Sequence, residues 1–254
     1  MTLVIGIDEA GYGPNLGPLV IGGSSWQIDD LQSNQSSTDV AEQFLELQND
    51  IQDDYRAGRG PPWGDSKKIF TRRGTKSETL EPLERGVFAA VHIATGTLPA
   101  TSEHLLSLLT LTPPDDSDLT CWKKLNTLRL PIATEVPKVI KESDEAARQL
   151  QNHAIRLTGL ACRWIFPETF NAALNTGLNK SDILSQTSLQ LAFNLRTQHP
   201  DSPAVIWCDR HGGRKRYTGV VSHCFDAARV EPLSETTRHS HYYIHDCEHP
   251  TSIH

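Results

Sequence analysis

The chain has 254 residues with a formal net charge of -7 at neutral pH, 37% hydrophobic residues and a mean hydropathy of -0.40. This length can bury one sizeable core, and no window approaches the roughly 18 consecutive apolar residues that a membrane span needs. The acidic balance creates no global positive field, so a nucleic acid would have to be held by local basic clusters. We therefore expect a soluble protein with no membrane partner.

Targeting and redox features agree with that class. The N-terminus MTLVIGIDEAG has no basic start, and Asp8 and Glu9 cut its apolar run short, so it does not resemble a secretory signal. The five cysteines are odd in number and never form a CxxC pair, which favours reduced thiols. We expect a cytoplasmic monomer.

The first 64 residues predict a β-hairpin followed by a polar stretch. Apolar runs at 3–10 and 17–28 are separated by a turn rich in glycine and proline. Residues 29–64 are polar, and within them 40–51 has the pattern of a helix.

The remaining chain alternates predicted helices and strands. A helix is predicted over 77–94, and 97–150 has the composition of an inserted segment with a surface loop. The later predictions are a helix at 141–157, a strand at 159–170, a helix at 183–198, a strand at 204–209, a helix at 214–225 and a final strand and turn. This order indicates one α/β domain over 1–254.

Two acids occupy equivalent positions on two predicted strands. Asp8 and Asp209 each end a short apolar strand, and open α/β sheets place their ligands at that edge. Acids from separate strands repel one another unless a hard cation such as Mg²⁺ or Mn²⁺ binds between them. Glu9 can share such a site only if the strand ends or bulges there, because neighbouring strand residues point to opposite faces. The alternative is that both aspartates cap a turn or a helix.

A local basic cluster surrounds the sequence DSKK at 65–68. Its members are Arg56, Arg59, Lys67, Lys68, Arg72, Arg73 and Lys76. Such a cluster can bind phosphates, although the exposed start of a helix has the same composition.

These segments resemble the type 2 ribonuclease H family, ribonuclease HII. IDEAGYGPNLGPLVIGG is similar to the family's opening strand and turn, and GDSKKIFTRRGTKSETLE to its DSK segment and the helix after it. ACRWIFPETFN and ILSQTSLQLAFNL are similar to its next strand and helix, and AVIWCDRHGGR to a strand ending in a catalytic aspartate. The resemblance implies a ribonuclease H-like fold, in which helices flank a mixed central sheet. It also implies an enzyme that cleaves RNA in RNA–DNA hybrids.

The resemblance also implies roles for individual residues. The metal-binding catalytic acids would be Asp8, Glu9 and Asp209. The nucleic-acid contacts would be Gly11, Tyr12, Gly13, Ser66, Lys67 and Lys68. Two Mg²⁺ or Mn²⁺ ions would act on an RNA–DNA hybrid or on ribonucleotide-containing DNA, leaving a 3′-hydroxyl and a 5′-phosphate.

Two features depart from the family pattern. The family has an arginine where this chain has Tyr12, and a phenol cannot supply the guanidinium's fork of phosphate donors. The family's fourth aspartate, on a GD turn that opens a helix, has no equivalent before His254. We therefore expect either that the C-terminal helix is missing or that Glu231 or Glu235 replaces the fourth acid.

Three other interpretations remain open from the sequence. One is a catalytically impaired hybrid-binding protein of the same fold. Another is an actin-like or sugar-kinase-type nucleotide-binding protein, since those also begin with IGID and glycines. The last is a metal site drawn from Cys208, His211, His223, Cys224, His239, His241, His245, Cys247 and His249.

Overall fold

The computed structural model describes residues 1–10, 17–29, 37–70, 76–109, 127–211, 214–236, 239–245 and 249–254. They fall into two units. The first contains Met1–Ile28 and Thr158–His254, and the second contains Asp29–Leu108 and residues 127–157. The sequence predicted one domain with an insertion near 97–150, whereas the second unit already begins at Asp29. The reason is that the helix Val136–Asn152, which begins inside the predicted insertion, packs on the helices Ser37–Arg56 and Lys76–Thr95, which precede it.

The described elements include both strands and helices. The strands are β1 (Thr2–Glu9), β2 (Leu19–Ile28), β3 (Ile155–Ile165), β4 (Ala204–Cys208), β5 (Val230–Glu235), β6 (Ser240–Ile244) and β7 (Thr251–Ile253). The helices are α1 (Ser37–Arg56), α2 (Ser66–Ile69), α3 (Lys76–Thr95), α4 (Ser102–Leu109), α5 (Val136–Asn152), α6 (Pro167–Asn175), α7 (Lys180–Thr197) and α8 (Thr218–Phe225). None of these helices is long and apolar enough to cross a membrane.

The strands form one mixed sheet in the order β3-β2-β1-β4-β7-β6-β5. β1 and β2 are antiparallel from Thr2↔Ile28 to Glu9↔Ile21, as the predicted hairpin requires. β1 and β4 are parallel, as are β4 and β7. The expectation of a mixed sheet flanked by helices is therefore confirmed.

The core of the first unit lies between the sheet and α7. Leu3, Ile5 and Ile7 alternate along β1 and are almost fully buried, and they belong to one apolar cluster with Leu191 and Leu195 of α7. Burying each such side chain contributes about 1.5–3 kcal/mol. This face of β1 packs against α7. The half-buried Gly6 and the exposed Asp8 lie on the opposite face.

The second unit is built from α1, α3 and α5, with α5 packed on both of the others. Its interior contains the ion pair of Arg85 and Glu142, in which Arg85 Nε donates to Glu142 Oε2 at 2.9 Å. Glu84 accepts from the backbone N–H groups of Ile132, at 2.5 Å, and Ala133, at 2.6 Å. These carboxylates join α3 to α5 and to the segment before it.

Adjacent glycines on β2 provide a test of the α7–β2 packing. A Cβ on Gly23 would lie 2.8 Å from Leu195 Cδ1 and 2.9 Å from Ile7 Cδ1, whereas one on Gly22 would lie 4.0 Å from the Asp8 carbonyl. We expect Gly23→Ala to lower the free energy of unfolding by about 1–3 kcal/mol through overpacking. The matched control Gly22→Ala should change it by less than about 0.5 kcal/mol or stabilise the protein. Urea unfolding measures both, and equal stabilities would contradict this packing.

Several elements differ from the sequence prediction. The strand expected at 159–170 is β3, which ends at Ile165, and α6 begins at Pro167, because proline suits the first turn of a helix. The helix expected at 141–157 ends at Asn152, because Ala154 adopts a left-handed conformation (φ 52°) and Ile155 begins β3. Only the second part of the segment expected to be helical at 214–225 forms a helix, which is α8. β5 was not predicted, since its polar sequence VEPLSE is stabilised by pairing with β6.

Candidate functional site

Asp8 and Asp209 lie side by side at one edge of the sheet. Ile7 pairs with Cys208 in parallel register, so the next residue on each chain is an aspartate. Both residues are exposed. The Glu9 N–H donates to Asp8 Oδ1 at 2.8 Å, and the Arg210 N–H donates to Asp209 Oδ1 at 2.7 Å. Each carboxylate is thus oriented by the backbone at the point where its strand ends.

An open groove passes over both carboxylates. Its lining residues are Gly6, Ile7, Asp8, Gly22, Gly23, Ser24, Trp207, Cys208 and Asp209. On the face of Asp8, a Cβ on Gly6 would come no closer than 3.5 Å to Ser24 Oγ, and one on Gly22 no closer than 4.0 Å to the Asp8 carbonyl. These glycines fill no tight gap, so they leave backbone open to a ligand beside the acids.

Glu9 lies on the other face of β1. The ladder continues through Glu9↔Ile21, and the Ala10 N–H donates to the Val20 carbonyl at 2.9 Å. β1 ends at Glu9, but its pairing with β2 stays regular through that residue and on to Ala10 without a bulge, so successive side chains still alternate between faces. The structure brings Asp8 together with Asp209 but does not bring Glu9 to them.

The donor set fits a cation that keeps part of its water shell. Over the described ranges, no group of three or more His, Cys, Asp or Glu side chains is arranged to hold a metal ion. Mg²⁺ is commonly bound through only one or two carboxylates together with waters and substrate phosphates. Asp8 and Asp209 supply that number of carboxylates in an accessible groove, so they fit Mg²⁺ bound jointly with a phosphate.

The proposed substitutes for a fourth acid are engaged elsewhere. Glu231 contacts His245 Nε2 at 2.6 Å, and Glu235 accepts from the Tyr242 hydroxyl at 2.5 Å. Both belong to β5, which is separated from β4 by β7 and β6 in the sheet. Neither is part of the Asp8–Asp209 pair.

The nucleic-acid contacts inferred from the resemblance fall in two places. Gly11, Tyr12 and Gly13 lie outside the described residues. Ser66, Lys67 and Lys68 are exposed on α2, in the second unit, where Asp65 caps the helix by accepting from the Lys67 N–H at 2.9 Å. Their exposure leaves both lysines accessible to a polyanion.

Part of the predicted basic cluster is already neutralised. Arg56 pairs with Asp53 at 2.7 Å, and Arg59 pairs with Asp54 at 2.6 Å. These exposed or half-exposed contacts reduce the net positive charge of the segment before α2. Among the described members of the cluster, the lysines of α2 are the ones left to bind phosphate, whereas Arg72, Arg73 and the Lys76 side chain lie outside the described residues.

A basic segment directly after Asp209 was missed by the sequence analysis, which assigned 214–225 to a helix. Arg214 forms an ion pair with Asp182, the third residue of α7. Lys215 and Arg216 are exposed. Arg216 Nε lies 3.9 Å from Glu235 Oε2, which makes a long, weak ion pair. The signal was the run RKR five residues beyond the acid. This segment places positive charge in the same unit as the two aspartates.

The cysteines near this site are buried or half-buried. Burial raises the pKa of the Cys208 thiol to about 12 and that of Cys224 to about 11, so both are protonated at neutral pH in the metal-free protein. Among the described residues, neither thiol belongs to a group of three or more side chains arranged to hold a metal ion, so the structure does not assemble the Cys/His site there.

His254 makes stability depend on pH. Burial, followed by the positive charges of His241 and His239, lowers its pKa from 6.5 to about 4. The unfolded chain gains a proton as pH falls through 6.5, whereas the folded chain does not until about 4, so stability present above pH 6.5 is lost on acidification. At a half-buried site we expect a loss of about 1 kcal/mol between pH 7 and pH 5.

Urea unfolding of wild type and His254→Leu at both pH values tests this contribution. The variant should lose less stability than wild type on acidification. Equal losses would show that His254 titrates normally in the folded protein.

No family model and no curated protein matches the chain. Two solved structures of CasPhi-2 (Cas12j), bound to crRNA with phosphorothioate DNA and to crRNA with DNA, align at 12% and 13% identity with TM-scores of 0.16 and 0.15. The alignments cover 89% and 88% of this chain but 36% and 37% of those chains, so this chain spans just over a third of their length. Similarity at this level carries no conclusion about fold or function.

Proposed function

We propose that the protein is a divalent-metal-dependent endonuclease of ribonuclease H-like fold. It would cleave the RNA strand of RNA–DNA hybrids, or DNA at an embedded ribonucleotide, to give a 3′-hydroxyl and a 5′-phosphate. The observation that carries the proposal is the pairing of Asp8 with Asp209 at adjacent parallel strand ends in an open groove. The resemblance of IDEAGYGP and WCDRHGGR to ribonuclease HII supports the substrate class.

The fold supports the proposal in a second way. The resemblance assigns the first motif to a strand and turn, and the second to a strand that ends in an acid. In the structure these segments are β1, which begins an antiparallel hairpin, and β4, which lies next to β1. Two motifs separated by about 200 residues thus meet at one edge of the sheet, where α/β folds place their chemistry.

Each element of the groove has a chemical task in phosphodiester cleavage. When bound, Mg²⁺ or Mn²⁺ supplies an activated water and stabilises charge on the phosphate. Asp8 and Asp209 would hold the metal, oriented by the N–H groups of Glu9 and Arg210. Gly6 and Gly22 leave room for the substrate backbone.

Exposed basic residues in each unit would bind phosphates of the substrate. In the first unit, Lys215 and Arg216 follow Asp209 by six and seven residues in the chain and are exposed, so they would contact the substrate backbone. In the second unit, Lys67 and Lys68 are exposed and would do the same. Because each phosphate contact releases a counterion, binding through these residues should weaken as salt increases.

A catalytically impaired hybrid-binding protein is the second candidate. The observation that favours it is that, among the described groove residues, two acids meet, while Glu9 lies on the opposite face and Glu231 and Glu235 have other partners. Binding and cleavage therefore have to be measured separately.

The test is a cleavage assay with four labelled substrates: an RNA–DNA hybrid, a DNA duplex with one ribonucleotide, a DNA duplex and single-stranded RNA. Each is incubated with Mg²⁺, with Mn²⁺ or with EDTA. We expect cleavage of one or both ribonucleotide-containing duplexes, with a 5′-phosphate product and none in EDTA. Tight binding without cleavage would favour the impaired protein. Neither binding nor cleavage, together with ATP hydrolysis, would support a nucleotide-binding ATPase instead.

A further inference from the structure

A partly enclosed cavity lies on the side of Asp209 away from the groove. It has a volume of about 170 Å³. Its described lining draws on five separate segments of the first unit: α7, the residues from Cys208 to His211, α8 with the residue before it, the segment around β6, and the last two residues. Because Cys208 and Asp209 line both the cavity and the groove, the two spaces share a wall.

Two imidazole nitrogens in the lining lack partners. His211 Nδ1 and His254 Nε2 are buried and make no hydrogen bond to any described residue. His211 as a whole is 1% exposed. A buried polar group without a partner costs about 1–3 kcal/mol, so both nitrogens are suited to a ligand that provides the missing hydrogen bonds.

The tyrosines of the cavity are held in place by other contacts. The backbone N–H of His211 donates to the Tyr217 hydroxyl at 3.0 Å, and the backbone N–H of Tyr217 donates to the Tyr242 hydroxyl at 2.9 Å. The Tyr242 hydroxyl donates in turn to Glu235. This chain of hydrogen bonds fixes the wall before any ligand arrives, which lowers the ordering cost of binding.

The remaining walls are apolar or aromatic. Leu189, Val221 and Ile253 are buried members of the core and line the cavity, and the Tyr217 ring packs edge-on against His211 with centroids 5.9 Å apart. A cavity of about 150 Å³ accommodates benzene, so the volume here suits one substituted six-membered ring. Among the described lining residues, the formal charges at neutral pH are the opposite charges of Asp209 and Arg210, which do not select for an ion of either sign.

We propose that this cavity binds an uncharged, single heteroaromatic ring that carries both a hydrogen-bond donor and an acceptor, as a pyrimidine base does. The apolar walls would cover the faces of the ring, and the nitrogens of His211 and His254 would meet its polar edge. Such pockets, mostly apolar with a few converging polar groups, are typical of small-molecule sites. The inference does not depend on the proposed cleavage, because binding of the free ring is measured directly.

The test uses three small probes with the full chain: uracil, benzene and inorganic phosphate. Saturation-transfer NMR and titration report their binding to wild type, to His254→Leu, which removes one unpaired nitrogen, and to Ser240→Phe, which fills the cavity from its rim. Asp201→Asn, an exposed residue of the same unit, is the control outside the lining. Circular dichroism and urea unfolding establish that each variant is folded, and either cavity variant alone is sufficient for the comparison.

We expect saturable uracil binding that weakens about fivefold or more in the cavity variants and is unchanged in Asp201→Asn. Phosphate should not displace uracil, and benzene should bind more weakly. Absence of uracil binding at millimolar concentration would overturn the proposal and assign the nitrogens to water. Equal affinity for benzene and uracil, or displacement of uracil by phosphate, would also overturn it, as would undiminished uracil binding to a folded cavity variant.

Discussion

Asp8→Asn and Asp209→Asn are each expected to lower Mg²⁺-dependent cleavage by about 100-fold or more. Asparagine keeps the size of the side chain but removes the charge that attracts the metal. Both aspartates are exposed, so neither change should disturb the fold. Hybrid affinity in the absence of metal should stay within about threefold, because phosphate contacts provide most of it. Single-turnover cleavage and fluorescence anisotropy measure the two quantities.

Two control variants make this prediction specific. Asp201→Asn changes an exposed aspartate of the same unit outside the groove and should leave cleavage unchanged. Glu9→Gln separates the resemblance from the geometry: the resemblance implies a loss like that of Asp8→Asn, whereas a side chain on the opposite face of β1 implies a much smaller one. Near wild-type turnover in either the Asp8 or the Asp209 variant would rule out the proposed site.

Glu142→Met is expected to lower the free energy of unfolding by about 3–5 kcal/mol. Arg85 and Glu142 are 7% and 3% exposed, so the change leaves a buried guanidinium without its main partner. Desolvation opposes the charge of Arg85, but hydrogen bonds and charge from Glu142 and then Glu81 outweigh it and raise the pKa of Arg85. The remaining contact to Glu81 is longer, at 3.3 Å, and cannot replace the lost pair.

A double-mutant cycle separates the pair from its burial. Arg85→Met with Glu142→Met should recover most of the lost stability, because an apolar pair of similar volume carries no desolvation cost. Arg56→Gln is the control: its pair with Asp53 is 71% and 73% exposed, and its loss should cost less than about 0.5 kcal/mol. Urea unfolding followed by circular dichroism gives the free energies of unfolding of wild type, Arg85→Met, Glu142→Met, the double variant and the Arg56→Gln control. A double variant no more stable than Glu142→Met would contradict this account of the pair.

The local pattern of apolar residues was sufficient to predict the strands and the helix that form the site. β1, β2 and β4 are short apolar runs bounded by turn residues or acids, and the apolar spacing of α7 is visible in its sequence. The sequence also predicted that Asp8 and Asp209 end two strands. It could not order the strands, since β1 is next to β4 only because a 7-stranded sheet forms in one particular order.

The tertiary structure decided the positions whose role depends on distant partners. Glu9 is turned away from Asp8 because the ladder continues to Ala10 and Val20, and no local feature of DEAG predicts that continuation. β5 forms from a polar sequence because β6 supplies its hydrogen bonds.

The cavity beside Asp209 depends most on the tertiary structure. It brings His211 together with His254, two residues far apart in the chain that meet because β7 pairs in parallel with β4. Side-chain periodicity reports which face of an element is buried. Which faces meet is set by pairing and packing across the whole sheet, and that information is absent from any single segment.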